Sequence, residues 1–116
     1  MGIEHKTPEV EQRRCERFRL NVAVEVHSPE VGKATNWHGT CTNISSSGMQ
    51  IFVSKDFAVG QLVTIELLLP YHGKELRLCA VIRNRVSFNY GVEFVNPSER
   101  DREAIVQNCR ALALLQ

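Results

Sequence analysis

The chain has 116 residues, 43% of them hydrophobic and 23% charged, with a formal net charge of +1. That length builds one ordinary domain with one hydrophobic core, and the near-neutral balance lacks the global positive field that duplex nucleic acid attracts. The first ten residues hold no apolar run and carry Glu4, Lys6 and Glu9, so no secretory signal is expected, and no stretch has the length of a membrane span.

Residues 1–12 are polar and aperiodic, with Pro8, and read as a flexible N-terminal arm ahead of a single domain over 13–116. Arg13, Arg14, Arg17 and Arg19 then crowd around one acid, Glu16, a local balance of +3 sized for a small anion. From Phe18 a strict alternation begins: Phe18, Leu20, Val22, Val24 and Val26 share one face, the period of a half-buried strand. A loop follows from Ser28 through Asn36, then a second strand near Trp37–Thr42, a polar turn over Asn43–Gly48, and a third strand over Met49–Val53. The apolar run Leu62–Leu69 makes a fourth strand. A turn at Pro70–Gly73 leads into a long fifth from about Lys74 to Val86, and Ser87–Asn89 turns the chain into a sixth over Tyr90–Val95.

Asn96, Pro97 and Glu99 change the period. Asn96 suits a helix cap, Pro97 the first helical position, and Glu99 a capping carboxylate. Ile105, Cys109 and Leu112, widened by Val106 and Ala113, give an amphipathic helix expected to pack across one opening of the barrel. The fold class is therefore mainly β: six such strands suggest an antiparallel barrel or sandwich, and a chain this short closes its edges most economically as a small six-stranded antiparallel barrel, with a C-terminal α-helix.

The residues suited to chemistry lie in two places. In an extended segment Arg13 and Arg17 point the same way, about 13 Å apart. A guanidinium fork can grip a phosphate through paired hydrogen bonds and matches the O6 and N7 edge of guanine, and its plane can stack on a purine. Arg14, offset by one, points elsewhere or to a second ligand unit. In the polar turn, Asn43 offers a donor and an acceptor and Ser45 a rotatable hydroxyl. Gly48, without a Cβ, can take a positive φ and lets a ligand approach the backbone.

Cys15, Cys41, Cys79 and Cys109 are irregularly spaced with no C-x-x-C pair, and His5, His27, His38 and His72 show no ligand spacing, so no metal site is expected and reduced thiols in the cytoplasm are the default. Gly91 relieves crowding or marks a bulge in the last strand, Trp37 belongs to the core or the barrel mouth, and Leu114 and Leu115 finish the helix packing or make a dimer contact. No nucleophile-and-base arrangement or paired carboxylates appear, so an enzyme is not expected. With only 7% aromatic residues, single-stranded nucleic acid is a poor fit, and neither DNA nor RNA is expected as a partner.

The pair Arg13-x-x-x-Arg17 and Asn43-x-Ser45-x-x-Gly48, the first before strand one and the second between strands two and three, resembles the two-part signature of the PilZ domain family. The Tyr90-Gly91-Val92-Glu93-Phe94 run and the C-terminal helix extend the likeness over about residues 11–113. The resemblance implies a bacterial second-messenger receptor that binds cyclic di-GMP unaltered, as a ligand and not a cofactor. The arginine-bearing segment would fold around the nucleotide, and a downstream protein partner would read the movement. Arg13 and Arg17 would contact guanine and phosphate, Asn43 and Ser45 a guanine, and Gly48 would allow the turn. Some relatives take one cyclic di-GMP and others an intercalated pair, with the residue before the motif, here Gln12, held to matter. The alternative is a nucleotide-independent interaction module of the same fold in motility, pilus or secretion control.

Overall fold

The computed structural model describes residues 16–28, 36–71, 73 and 75–116. Arg13, Arg14, Cys15 and the arm over 1–12 lie outside the described residues, as do His72 and Lys74.

Six strands and one helix make up the described fold: β1 (Phe18–His27), β2 (Asn36–Ile44), β3 (Gly48–Val53), β4 (Leu62–Leu68), β5 (Glu75–Val86), β6 (Asn89–Phe94) and α1 (Glu99–Leu115). The strands close into an antiparallel barrel in the order β1-β2-β3-β6-β5-β4. Closure is made by β1, which pairs with β2 along most of its length and with β4 over Val24–His27.

The alternation of β1 does what the sequence predicts: Val24 and Val26 are buried inside, and Glu25 and His27 face outward. Opposite them Ile65 and Leu67 of β4, Leu76 and Leu78 of β5, Ile51 of β3 and Val92 of β6 turn inward into one continuous core. Burying such aliphatic side chains contributes roughly 1.5–3 kcal/mol each.

Two strand boundaries beside the polar turn differ from the sequence reading. Strand β2 continues through Asn43 to Ile44, β3 begins at Gly48, and the turn between them shrinks to Ser45–Ser47. Asn43 is thus a strand residue, paired with Arg19 on one side and Gln50 on the other. The helix cap also moves. Ser98 is the N-cap, its Oγ accepting from Asp101 N at 3.1 Å, while Asn96 takes a positive φ of 44° in the bend before it. A serine hydroxyl immediately ahead of a helical run outcompetes an asparagine two residues earlier, because it reaches the orphan N–H groups of the first turn directly.

The buried face of α1 is Ala104, Ile105, Asn108, Cys109 and Leu112, and its apolar members join the barrel core. Asn108 Oδ1 accepts from Tyr71 N at 3.0 Å and pins the helix to the turn after β4. At its far end the Gln116 side chain accepts from Arg19 N at 3.0 Å and donates to Arg19 O. Leu114 and Leu115 are exposed.

One interior polar group organises the barrel end near β6. Tyr90 is fully buried, stacks edge-on against Phe57, donates to Lys55 O and accepts from Phe57 N at 3.0 Å. Phe57 in turn meets Trp37 edge-on at 5.5 Å, which places that indole at the barrel mouth. Arg85 braces the same loop, donating to Asp56, to Phe57 O and to Ser87 O. Removing only the hydroxyl, Tyr90→Phe, leaves the Phe57 N–H without its acceptor in the core. It should cost about 1–3 kcal/mol in urea denaturation; unchanged stability would mean that water replaces the hydroxyl.

Candidate functional site

Asn43 is second in a row of cross-strand partners: Arg19 on β1, Asn43 on β2, Gln50 on β3, Gly91 on β6 and Asn84 on β5. In an antiparallel sheet directly paired residues project to the same side. The row is therefore a polar band on the outer surface of the barrel. Arg17, exposed just ahead of β1, reaches into it and donates through Nη1 to Asn43 Oδ1 at 3.1 Å. Asn43 Nδ2 in turn donates to Gln50 Oε1 at 3.4 Å. The asparagine is thereby oriented, its carbonyl toward the arginine segment and its amide toward the sheet.

Gly91 is flanked by a β-bulge in β5, where the register slips between Ile82 and Asn84. A Cβ at Gly91 would lie 2.6 Å from Asn84 Oδ1. The Asn84 amide fills the space that a side chain would otherwise occupy, so the band is low and flat at this point. The crowding is as the sequence suggests, but the bulge lies in β5 and not in the last strand.

Ser45 and Gly48 play a different part from Asn43. Ser45 is buried, and its Oγ accepts from Ser47 N and Gly48 N, each at 3.2 Å, while lying 3.3 Å from Gly48 O. The Ser45 N–H closes the turn on Gly48 O at 2.8 Å, and Ser47 O accepts from Phe94 N at 2.9 Å. The hydroxyl thus satisfies the turn's own backbone and holds Asn43 and Arg17 above a fixed hairpin. Gly48 is not among the positive-φ residues. Its requirement for glycine comes from β6: a Cβ there would be driven into the Val92 carbonyl oxygen. The expected conformational freedom is replaced by a close strand approach.

Of the residues expected to form the site, Arg17 and Asn43 are in contact, Ser45 and Gly48 build the turn beneath them, and Arg13 and Arg14 lie outside the described residues. Gln50 and Asn84 were not foreseen. Gln50 is legible only once the β2–β3 register is known, and Asn84 only once the bulge is. A groove of about 280 Å³ lined by Glu16, Phe18, Ser46, Val106, Cys109 and Ala113 runs beside the site, between the root of β1, the turn and α1.

Among the described cysteines Cys79 is exposed, whereas burial pushes the Cys41 thiol up to about 12, against a smaller lowering by the Asn43 backbone, and the Cys109 thiol up to about 11. Cys41 and Cys109 are therefore core residues without thiolate character at neutral pH.

The PilZ domain family model matches residues 11–111 of the chain. Among solved structures, the Bacillus subtilis inhibitor of motility MotI/DgrA is 20% identical with a TM-score of 0.74, covering 86% of this chain and 50% of its own. The PilZ domain of YcgR from Escherichia coli with c-di-GMP is 13% identical, TM-score 0.70, covering 88% and 92%. The PilZ domain of CeSA from a cellulose-synthesizing bacterium is 19% identical, TM-score 0.64, covering 86% and 97%. The chain thus spans about half of the motility inhibitor but nearly all of the two isolated domains. No curated protein matches the sequence. Gly48→Ala should destabilise the fold by about 1–3 kcal/mol through overpacking against β6. Thermal denaturation reads this directly, and an unchanged midpoint would show that the two strands can part.

Proposed function

The chain belongs to the PilZ domain family, and from that premise we propose that it is a receptor for cyclic di-GMP, which it binds without altering. The observation that carries the reading is the Arg17–Asn43 hydrogen bond, because it joins the two separated halves of the motif at one point on the barrel surface. An exposed guanidinium at the edge of a flat polar band is suited to a ligand that presents both a purine edge and a phosphate.

In this reading residues 13–116 form the binding unit. Arg13 and Arg17 hold phosphate and guanine, and Arg14 lies toward the ligand's outer face or a second nucleotide. Asn43 reads a guanine edge. Ser45 and Gly48 contribute by fixing the hairpin that presents Asn43, and Gln50 by orienting its amide. Ligand binding fixes the segment ahead of β1 against the barrel. Ordering a backbone costs about 1–2 kcal/mol per residue, and each charge-assisted hydrogen bond returns about 1.5–3 kcal/mol, so several arginine contacts must form together. The ordered segment is the signal that a cytoplasmic partner reads.

Isothermal titration with cyclic di-GMP, with GTP and cyclic di-AMP as controls, tests this. Saturable binding selective for cyclic di-GMP is expected, and the molar ratio counts ligands per chain. Arg13→Ala and Arg17→Ala should each abolish the heat while the circular dichroism spectrum stays that of a folded barrel, since Arg17 makes no core contact and Arg13 precedes the first strand. Normal affinity in both variants would sink the site. No heat from the folded wild-type chain would move the reading to a nucleotide-independent interaction module.

A further inference from the structure

At the end of β1 remote from Arg17, about 20 Å along the strand from Arg19, three donor side chains converge on the outer surface. Register places Glu25 opposite Glu66 of β4, and His27 follows two residues later on the same face as Glu25. His27 Nε2 lies 3.4 Å from Glu25 Oε1 and 3.3 Å from Glu66 Oε1, and the ligand atoms of all three lie within 4.8 Å of one another. The second oxygen of Glu66, Oε2, accepts from Arg77 Nη1 at 2.8 Å, Arg77 being its cross-strand partner on β5. That bond fixes the carboxylate and leaves Oε1 turned toward His27.

These separations discriminate between two accounts of the cluster. An imidazolium held by carboxylates donates at about 2.7–2.9 Å, and His27 Nε2 instead sits buried with no hydrogen-bond partner. Donors on a tetrahedral zinc ion, with bonds of about 2.1 Å, stand about 3.4 Å apart along each edge. The His27–Glu25 and His27–Glu66 spacings match that edge, and the Glu25 and Glu66 oxygens lie within 4.8 Å of each other. Two carboxylates also balance the charge of a divalent ion, and Arg77 supplies the outer contact that orients a ligating carboxylate.

We propose that Glu25, His27 and Glu66 form a zinc site across the β1–β4 seam, with a fourth position open to water. The side chains are 33%, 20% and 23% exposed, so solvent has access to the ion. The site is independent of the nucleotide reading, and an ion bound there ties together the two strands that close the barrel. Sequence spacing alone does not suggest this site, because the third donor arrives from a strand 39 residues further along the chain.

The test is a titration of metal-free protein, without a polyhistidine tag, with Zn²⁺, followed by heat and by melting temperature. One ion per chain and a rise in melting temperature are expected. Cobalt in place of zinc should show the intensified visible absorption of a four-coordinate ion. His27→Ala and Glu66→Gln should weaken binding by at least tenfold, and Arg77→Ala by about tenfold. Glu25→Gln, isosteric and on the most exposed of the three, should weaken the zinc heat while leaving fold and cyclic di-GMP titration unchanged. Absence of saturable zinc binding would overturn the proposal. So would equal affinity in wild type, His27→Ala and Glu25→Gln, since the ion would then sit elsewhere.

Discussion

The fold depends on a short seam. Of all the ladders in the barrel, β1 with β4 is the briefest, four residue pairs from Val24–Leu67 to His27–Thr64, and without it two strand edges would stand open. Those pairs do two things at once. Val24 and Val26 lock into Ile65 and Leu67 on the inside, so the seam is sealed by apolar contact as well as by hydrogen bonds. On the outside the same register sets Glu25 against Glu66 beside His27. The front half of β1, beyond the reach of β4, pairs with β2 alone, and this keeps Arg17 at the surface beside Asn43.

The polar band is a product of sheet geometry more than of loop chemistry. Asn43, Gln50 and Asn84 come from three different strands, and pleating aims them at a common surface. Their backbones are held by ladders, and Asn43 and Gln50 are hydrogen-bonded to each other. Of the arginine segment, Arg17 touches the band among the described residues.

Local patterns were legible in the sequence and long-range ones were not. The alternation from Phe18 to Val26 and the stripe of Ile105, Cys109 and Leu112 each announce an element, because burial imposes its period directly on neighbouring residues. The barrel class followed from six such runs. What escaped were features set by partners distant in the chain. Gly48 looks like a turn glycine until the Val92 carbonyl is seen against it, and Asn43 looks like a turn residue until β1 and β3 are found paired on either side. Ser45 reads as a free hydroxyl, yet the turn consumes it. Ser98 displaces Asn96 as the helix cap for a local reason, proximity to the first-turn amides.

The Gln116 amide has a consequence for assembly. Its carbonyl and amino groups meet the N–H and C=O of Arg19 as a neighbouring strand would, on the stretch of β1 that β4 does not cover. One side chain thus stands in for a seventh strand. Any extended peptide that adds itself to this edge, whether from another copy or from a partner, must first displace the end of α1. Strand addition and helix docking at this edge exclude each other.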